Sequence, residues 1–298
     1  MLCRCVSLLL LLATRGAHAT GNSGEAAIRG FVEAVHNGAA DQMAFVLDVG
    51  ANNGAWSRSI MGRVRPRLAP GLKAAGEGRG RSGGAVRVQP ILFEPQQVFR
   101  KPLQRLANRW DGIFYPAAAW TNATNLTFYL SNFKEASSLS ESMALTFNNP
   151  KVNPTVRRVT VPTVDLSAVL RRCVRRANGG PIFLKLDTES AEYDLLPHLL
   201  TSGALCDVTF LLIEWHLNAM SPGRRLQGVL LRNALDGLLA RGCAAPPRLI
   251  IHDEDFLNNF GEAVPGLGGL AARRKKSENM KNKRLYAEAA SIIATRPN

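Results

Sequence analysis

Short apolar runs ending in acids or glycines recur along this chain, separated by stretches with helical spacing. The run Phe45-Val46-Leu47 opens into Asp48-Val49-Gly50-Ala51-Asn52-Asn53-Gly54. A run of this kind reads as a strand buried on both faces. The loop after it has almost no side-chain bulk, and a helix over 55–64 aims its first amides into that loop. The same pattern places strands at 86–93, 112–118 (interrupted at Pro116), 181–187, 208–213 and 248–253, with a last one at 289–295. Helices are predicted over 25–36, where Ile28, Val32 and Val35 share a face, and over 97–110, 165–176, 189–200 and 224–241. Segments 126–130 and 158–164 are β-like and pair as a hairpin around a Ser- and Asn-rich loop at 131–153. Strand and helix alternate, which predicts an α/β fold. It is Rossmann-like and doubly wound, a mostly parallel sheet with helices on both faces and a small β-hairpin insertion.

The 298 residues are enough for one large α/β domain. Arg4, an apolar run over 6–13 and Ala17-His18-Ala19 read as a secretory signal peptide over 1–19, with an organelle transit sequence as the alternative. A leading helical segment then covers 20–44, and the main domain covers 45–298. That apolar run is too short to span a bilayer, so the mature chain is expected to lack a transmembrane segment and to enter the secretory pathway. Asn122 and Asn125 head overlapping glycosylation sequons, which fit that route. Cys173, Cys206 and Cys243 follow the leader with no metal-type spacing. Either one pair bridges and one thiol is left over, or all three are free.

The net charge is +14. A basic low-complexity insertion at 62–87 and a basic tail at 270–298 carry +6 each, and the leader carries the rest. The body between them is neutral by count. A nucleic-acid groove needs basic residues spread along the fold, so no nucleic acid is expected. The two basic segments read as solvated surface or as contacts for an acidic polymer or membrane surface.

In an open α/β sheet, ligands sit outside the carboxyl ends of the strands. The residues at those ends are therefore the candidate site. Strand one gives Asp48, Gly50, Asn52 and Gly54, and strand two gives Glu94. Strand three gives Ala118 and Trp120. The later strands give Lys185, Asp187, Glu189, Glu214, His216, His252 and Asp253. An acid placed as Glu94 is accepts hydrogen bonds from the ribose hydroxyls of a nucleoside, or else caps the helix after Pro95. No metal site is expected, although Asp187, His216 and Asp253 are in principle able to gather around a divalent ion.

Several spaced motifs together resemble the FkbM-type S-adenosylmethionine (SAM)-dependent methyltransferases. They are Val46 to Gly54, Leu92-Phe93-Glu94-Pro95, and Ala117 to Trp120 ahead of a Ser-Ser-Leu. They continue with Val161-Pro162-Thr163-Val164-Asp165-Leu166, Lys185 to Leu196, and Glu214-Trp215-His216. At the fourth strand the family reads close to Lys-Ile-Asp-Val-Glu-Gly-Ala-Glu. Here Thr188 and Ser190 depart from it, while Asp187, Glu189 and Glu192 are kept. The missing glycine bears on the acceptor side of the site. The resemblance implies that Asp48, Gly50, Asn52 and Gly54 line the methionine end of SAM. It implies that Glu94 holds the ribose and that Ala118 and Trp120 lie near the adenine.

The reaction implied is methylation of a hydroxyl on a glycan or small metabolite. His216, Asp187 and Glu189 are the candidates for general base or for orienting groups. A lone histidine after a strand also serves structurally. The competing readings are a nicotinamide-dependent enzyme on the same sheet and a non-catalytic secreted binding protein of the same fold. Against the nicotinamide reading, Asn52 stands where the second glycine of G-x-G-x-x-G belongs.

Overall fold

The computed structural model describes residues 23–64, 86–131, 137–146, 156–216 and 222–253. In chain order its elements begin with α1 (Ser23–His36), β1 (Met43–Val49), α2 (Ala55–Val64), β2 (Arg87–Phe93), α3 (Gln97–Arg109) and β3 (Ile113–Tyr115). Next come β4 (Ala118–Trp120), β5 (Asn125–Leu130), α4 (Glu141–Thr146), β6 (Arg157–Asp165), α5 (Leu166–Ala177) and β7 (Ile182–Leu186). The chain continues through α6 (Glu192–Thr201), β8 (Phe210–Glu214), α7 (Pro222–Gly242) and β9 (Leu249–Asp253). The main sheet has the order β3-β2-β1-β7-β8-β9, and all its pairs are parallel. The fold is thus the Rossmann-like α/β architecture that the alternation predicts. Sheet growth reverses direction between β1 and β7, so the crevice for a ligand falls at their carboxyl ends.

Side-chain alternation assigns the two faces. Phe45, Leu47 and Val49 of β1, Leu184 and Leu186 of β7, and Leu211 and Ile213 of β8 point into one core. That core is closed by Leu166, Val169 and Leu170 of α5, by Leu195, Leu196 and Leu199 of α6, and by Leu235 and Leu239 of α7. The other face carries Phe183 and Phe210, which meet Phe31 of α1 and, for Phe183, Trp56 of α2. Leu92 of β2 packs with Phe99, Leu103 and Leu106 of α3. A fully buried Leu or Phe contributes about 1.5–3 kcal/mol, and both faces are built from them. Asp48 and Lys185 are on the second face with no apolar alternative, so their charges are inside the protein.

The predicted third strand is divided. The β3 ladder ends at Tyr115, whose carbonyl accepts the Glu94 amide at 3.2 Å. Pro116 has no N–H to continue it. The chain then leaves the main sheet, and β4 joins a second sheet of order β4-β6-β5. The predicted hairpin is its antiparallel β5–β6 pair, with Leu126 opposite Val161. Within the polar connection, α4 forms and its Glu141 pairs with Arg158 at 2.6 Å. The expected signal peptide, most of the basic insertion, the basic tail and the predicted strand at 289–295 lie outside the described residues.

Cys206 and Cys243 form a disulfide, joining the short turn at Ala204–Asp207 to the end of α7 across a sequence separation of 37 residues. In a loop-closure model such a bridge contributes about 4 kcal/mol. Cys173 lies on the buried face of α5, and burial pushes its thiol up to about 11, which keeps it unreactive.

Candidate functional site

The loop after β1 is tied down from two sides. Gly50 and Ala51 donate their amides to the Phe93 carbonyl at 3.2 and 2.9 Å, which pins the loop over the end of β2. Gly50 has φ +80°, and a Cβ there would lie 1.7 Å from the Asp187 carbonyl oxygen. The loop therefore touches the β7 turn backbone to backbone. Gly54 has φ +78° and sits against Leu103 and Leu106 of α3. Asn52 also adopts a left-handed conformation, φ 49°. Its Oδ1 is buried without a hydrogen-bond partner.

Asp48 is wholly enclosed. Its carboxylate accepts the Ser57 hydroxyl at 2.6 Å and the Lys185 ammonium at 3.2 Å. Lys185 reaches on to the Gly50 carbonyl at 3.3 Å and to Asp187 at 2.9 Å. Burial alone would lower the Lys185 pKa, but the nearby Asp187 and Asp48 carboxylates outweigh it and raise the pKa, so the ammonium stays charged.

Glu94 stands beside the loop with both oxygens in use. One accepts the Asn52 amide at 2.9 Å and the other the Gln96 amide at 3.0 Å. It thus braces the loop and the start of α3 together, and with a further hydrogen bond from the Gln96 side chain the carboxylate keeps acceptor capacity for about one more donor. Burial pushes its carboxyl up to about 7, against the lowering effect of the two amides.

A second group of side chains converges from the ends of β7 and β8. His216 Nε2 lies 3.5 Å from Glu189 and 3.7 Å from both Asp187 and Glu214, while Nδ1 is 3.3 Å from Glu192. Burial opposes the imidazolium, but Glu189 and Glu192 prevail and hold its pKa well above the ordinary value. Burial likewise raises Glu189 and Glu214, and Asp187 adds to both. The sequence reading places His216, Asp187 and Glu189 at one site, and the structure brings them into contact. It also brings in Lys185 and Glu214, which the strand ends had offered, and adds Glu192. The acids of the Lys185 to Glu192 motif were the available signal for Glu192.

The turn between β7 and α6 is conformationally strained. Glu189 and Ser190 have φ 53° and 93°, values that favour glycine. For this reason α6 begins at Glu192 and not at 189, as the apolar spacing predicts. Glu192 holds the turn by accepting the Thr188 amide at 2.5 Å and the Ser190 amide at 2.9 Å. Ser138, from the Ser-Ser-Leu segment, donates its hydroxyl to the Glu189 carbonyl. Ser190 stands where the resemblance calls for glycine, and its backbone explains why. A Ser190→Gly variant is expected to gain up to about 1 kcal/mol of stability through relieved strain. Urea unfolding checks this, and a loss of stability would show that the Ser190 side chain matters more than its φ.

Ala118 and Trp120 are positioned by the second sheet. Ala118 packs with Phe128 and Val161, and Trp120 lies half-buried against the main core. A polar cleft of about 400 Å³, lined by Glu33, Gln42, Pro181, Thr209 and Arg248, lies at the amino ends of the strands, opposite the switch point. None of the groups described above lines it. No family model, curated protein or solved structure matches the chain. Among the described residues no helix is long and apolar enough to cross a membrane.

Proposed function

We propose that this protein is a SAM-dependent methyltransferase of the FkbM type, acting on a hydroxyl of a glycan or small metabolite. The observation that carries the reading is the loop from Gly50 to Gly54 at the switch point. It is left-handed at Gly50, Asn52 and Gly54 and is clasped by Glu94 at the end of the adjacent strand. The strand order serves a nicotinamide cofactor equally well. The Asn52 side chain, with its unpartnered buried oxygen, distinguishes this loop from a dinucleotide-binding one.

The residues fit a nucleoside cofactor bearing a ribose and an amino-acid tail. Gly50 keeps the loop clear of side-chain bulk, the Asn52 oxygen offers an acceptor, and Glu94 offers its remaining lone pair to a hydroxyl donor. When bound, SAM supplies a methyl group on a sulfonium that is already activated for transfer. The chain's own contribution is then to orient the acceptor and receive its proton. Asp187, Glu189 and His216 are the groups placed for that work. They come from the loops after β7 and β8, across from the glycine loop. Glu189 and Glu192 favour the protonated form of His216, so a carboxylate of the cluster is the better base. The disulfide and the leader fit passage through the secretory pathway.

Calorimetry with S-adenosylhomocysteine and with NAD tests the reading directly. Binding of the first and not the second is expected, and the reverse result would replace methyl transfer by hydride transfer. Ionised Glu94 is the stronger acceptor for the ribose, so affinity should rise as pH rises through about 7. Glu94→Gln should flatten that profile and weaken binding at pH 8 by roughly 10- to 100-fold. An unchanged profile in the variant would remove Glu94 from the cofactor site. If the nucleoside binds and no hydroxylated acceptor is methylated, the non-catalytic reading takes its place.

A further inference from the structure

We propose that His216, Asp187 and Glu214, with Glu189 beside them, form a binding site for one divalent transition-metal cation such as Mn²⁺ or Zn²⁺. One ligand atom from each of Asp187, Glu214 and His216 falls within 4.8 Å of the others. The proposal stands on this cluster and not on the identity of any methyl donor.

Three observations carry it. First, the His216 side chain is nine-tenths buried, and neither its Nε2 nor its Nδ1 makes a hydrogen bond. A charge-assisted hydrogen bond would bring a carboxylate to about 2.7–2.9 Å. Nε2 instead stands off three carboxylates at nearly equal distances of 3.5, 3.7 and 3.7 Å. Two atoms that each lie about 2.1 Å from a shared ion are separated by roughly this much when their angle at the metal is between tetrahedral and trigonal. Second, Glu189 Oε2 is also buried without a hydrogen-bond partner. Two unpartnered buried atoms of opposite preference face each other across the same gap, and a buried polar atom left in that state is costly.

Third, supporting groups stand beside the candidate ligands. Nδ1 of His216 faces Glu192 at 3.3 Å. Glu192 is fully buried and fixed by the Thr188 and Ser190 amides and by the Thr188 hydroxyl. A carboxylate on the far nitrogen is the usual partner of a metal-bound histidine, because it sets the ring orientation and leaves the other nitrogen free to ligate. Lys185 similarly anchors the second oxygen of Asp187. The cluster is also rich in carboxylate oxygens: Lys185 meets Asp48 and Asp187, while His216 faces Asp187, Glu189, Glu192 and Glu214. Imidazole among the ligands favours Mn²⁺, Fe²⁺ or Zn²⁺ over Mg²⁺ and Ca²⁺, which prefer oxygen alone.

The test uses the full chain, stripped by a chelator and dialysed. Mn²⁺, Zn²⁺ and Mg²⁺ are titrated calorimetrically without any nucleoside, so the outcome is separable from donor binding. One saturable site for Mn²⁺ or Zn²⁺ is expected, with Mg²⁺ weaker. Glu214→Gln should lose at least about tenfold in affinity, and His216→Ala still more. Glu141→Gln, an exposed acid paired with Arg158, should bind as the unaltered chain does. Electron spin-echo spectroscopy of Mn²⁺ on the unaltered protein should show coupling to an imidazole nitrogen, a readout that needs no variant. Absence of saturable binding, tighter binding of Mg²⁺ than of Mn²⁺, or no nitrogen coupling would each overturn the site.

Discussion

Gly50→Ala is expected to destabilise the protein by about 4 kcal/mol or more, a large share of the roughly 5–15 kcal/mol that holds a typical domain together. Two costs add. A residue with a Cβ at φ +80° bears about 1–2 kcal/mol of left-handed strain. The new carbon would also lie 1.7 Å from the Asp187 carbonyl oxygen, which is backbone and has no rotamer to escape into. Relief requires β1 and β7 to separate at the switch point, where the Asp187 amide bonds to the Val49 carbonyl at 3.1 Å. Urea unfolding, or the soluble yield if the variant does not fold, measures the loss. Gly54→Ala is a useful comparison, because at a similar φ its Cβ would meet the ends of the Leu103, Leu106 and Arg58 side chains and no backbone. A Gly50→Ala midpoint equal to that of the unaltered chain would mean that the loop does not rest on the β7 turn.

Lys185→Met should cost about 3–5 kcal/mol. The substitution keeps the apolar stem and removes the ammonium, leaving Asp48 and Asp187 without their shared cation. Breaking a buried pair from one side exposes the desolvation cost of the other, and that cost exceeds the net value of the pair. The same reasoning predicts partial rescue. Asp48→Asn combined with Lys185→Met should be less destabilised than the sum of the two single variants, by about 1–3 kcal/mol. Additive losses in denaturant unfolding would show that the two groups act independently. Asn at position 48 can still receive the Ser57 hydroxyl, so the comparison isolates the charge.

The parallel sheet and its switch-point loop were legible because β1, β7 and β8 are buried on both faces and so read as unbroken apolar runs. Glycine and asparagine after β1 announced a left-handed loop for steric reasons that are local to the chain. What was hidden is set by encounters across the fold. Lys185 looks like an interruption of an apolar strand until β1 places Asp48 directly opposite it. Ala118 and Trp120 read as the end of the third strand, but the missing amide of Pro116 lets the chain leave for the second sheet. Glu189 to Leu200 has helical spacing throughout, and only the turn geometry at Glu189 and Ser190 shows why the helix waits until Glu192. The pairing of Cys206 with Cys243 depends on where a short turn meets the end of α7, which no spacing in the chain records.

Lys185 also gives the two halves of the site a common thermodynamic account. Its ammonium divides its hydrogen bonds among Asp48, the Gly50 carbonyl and Asp187. Whatever draws charge from Asp187 leaves more of that ammonium for the glycine loop, and whatever repositions the loop changes how firmly Asp187 is held. Such linkage runs equally in both directions: a factor by which one occupant alters the affinity for a second is the factor by which the second alters the first. A single buried amine thus joins the glycine loop to the β7 turn, so a change at either one is felt at the other.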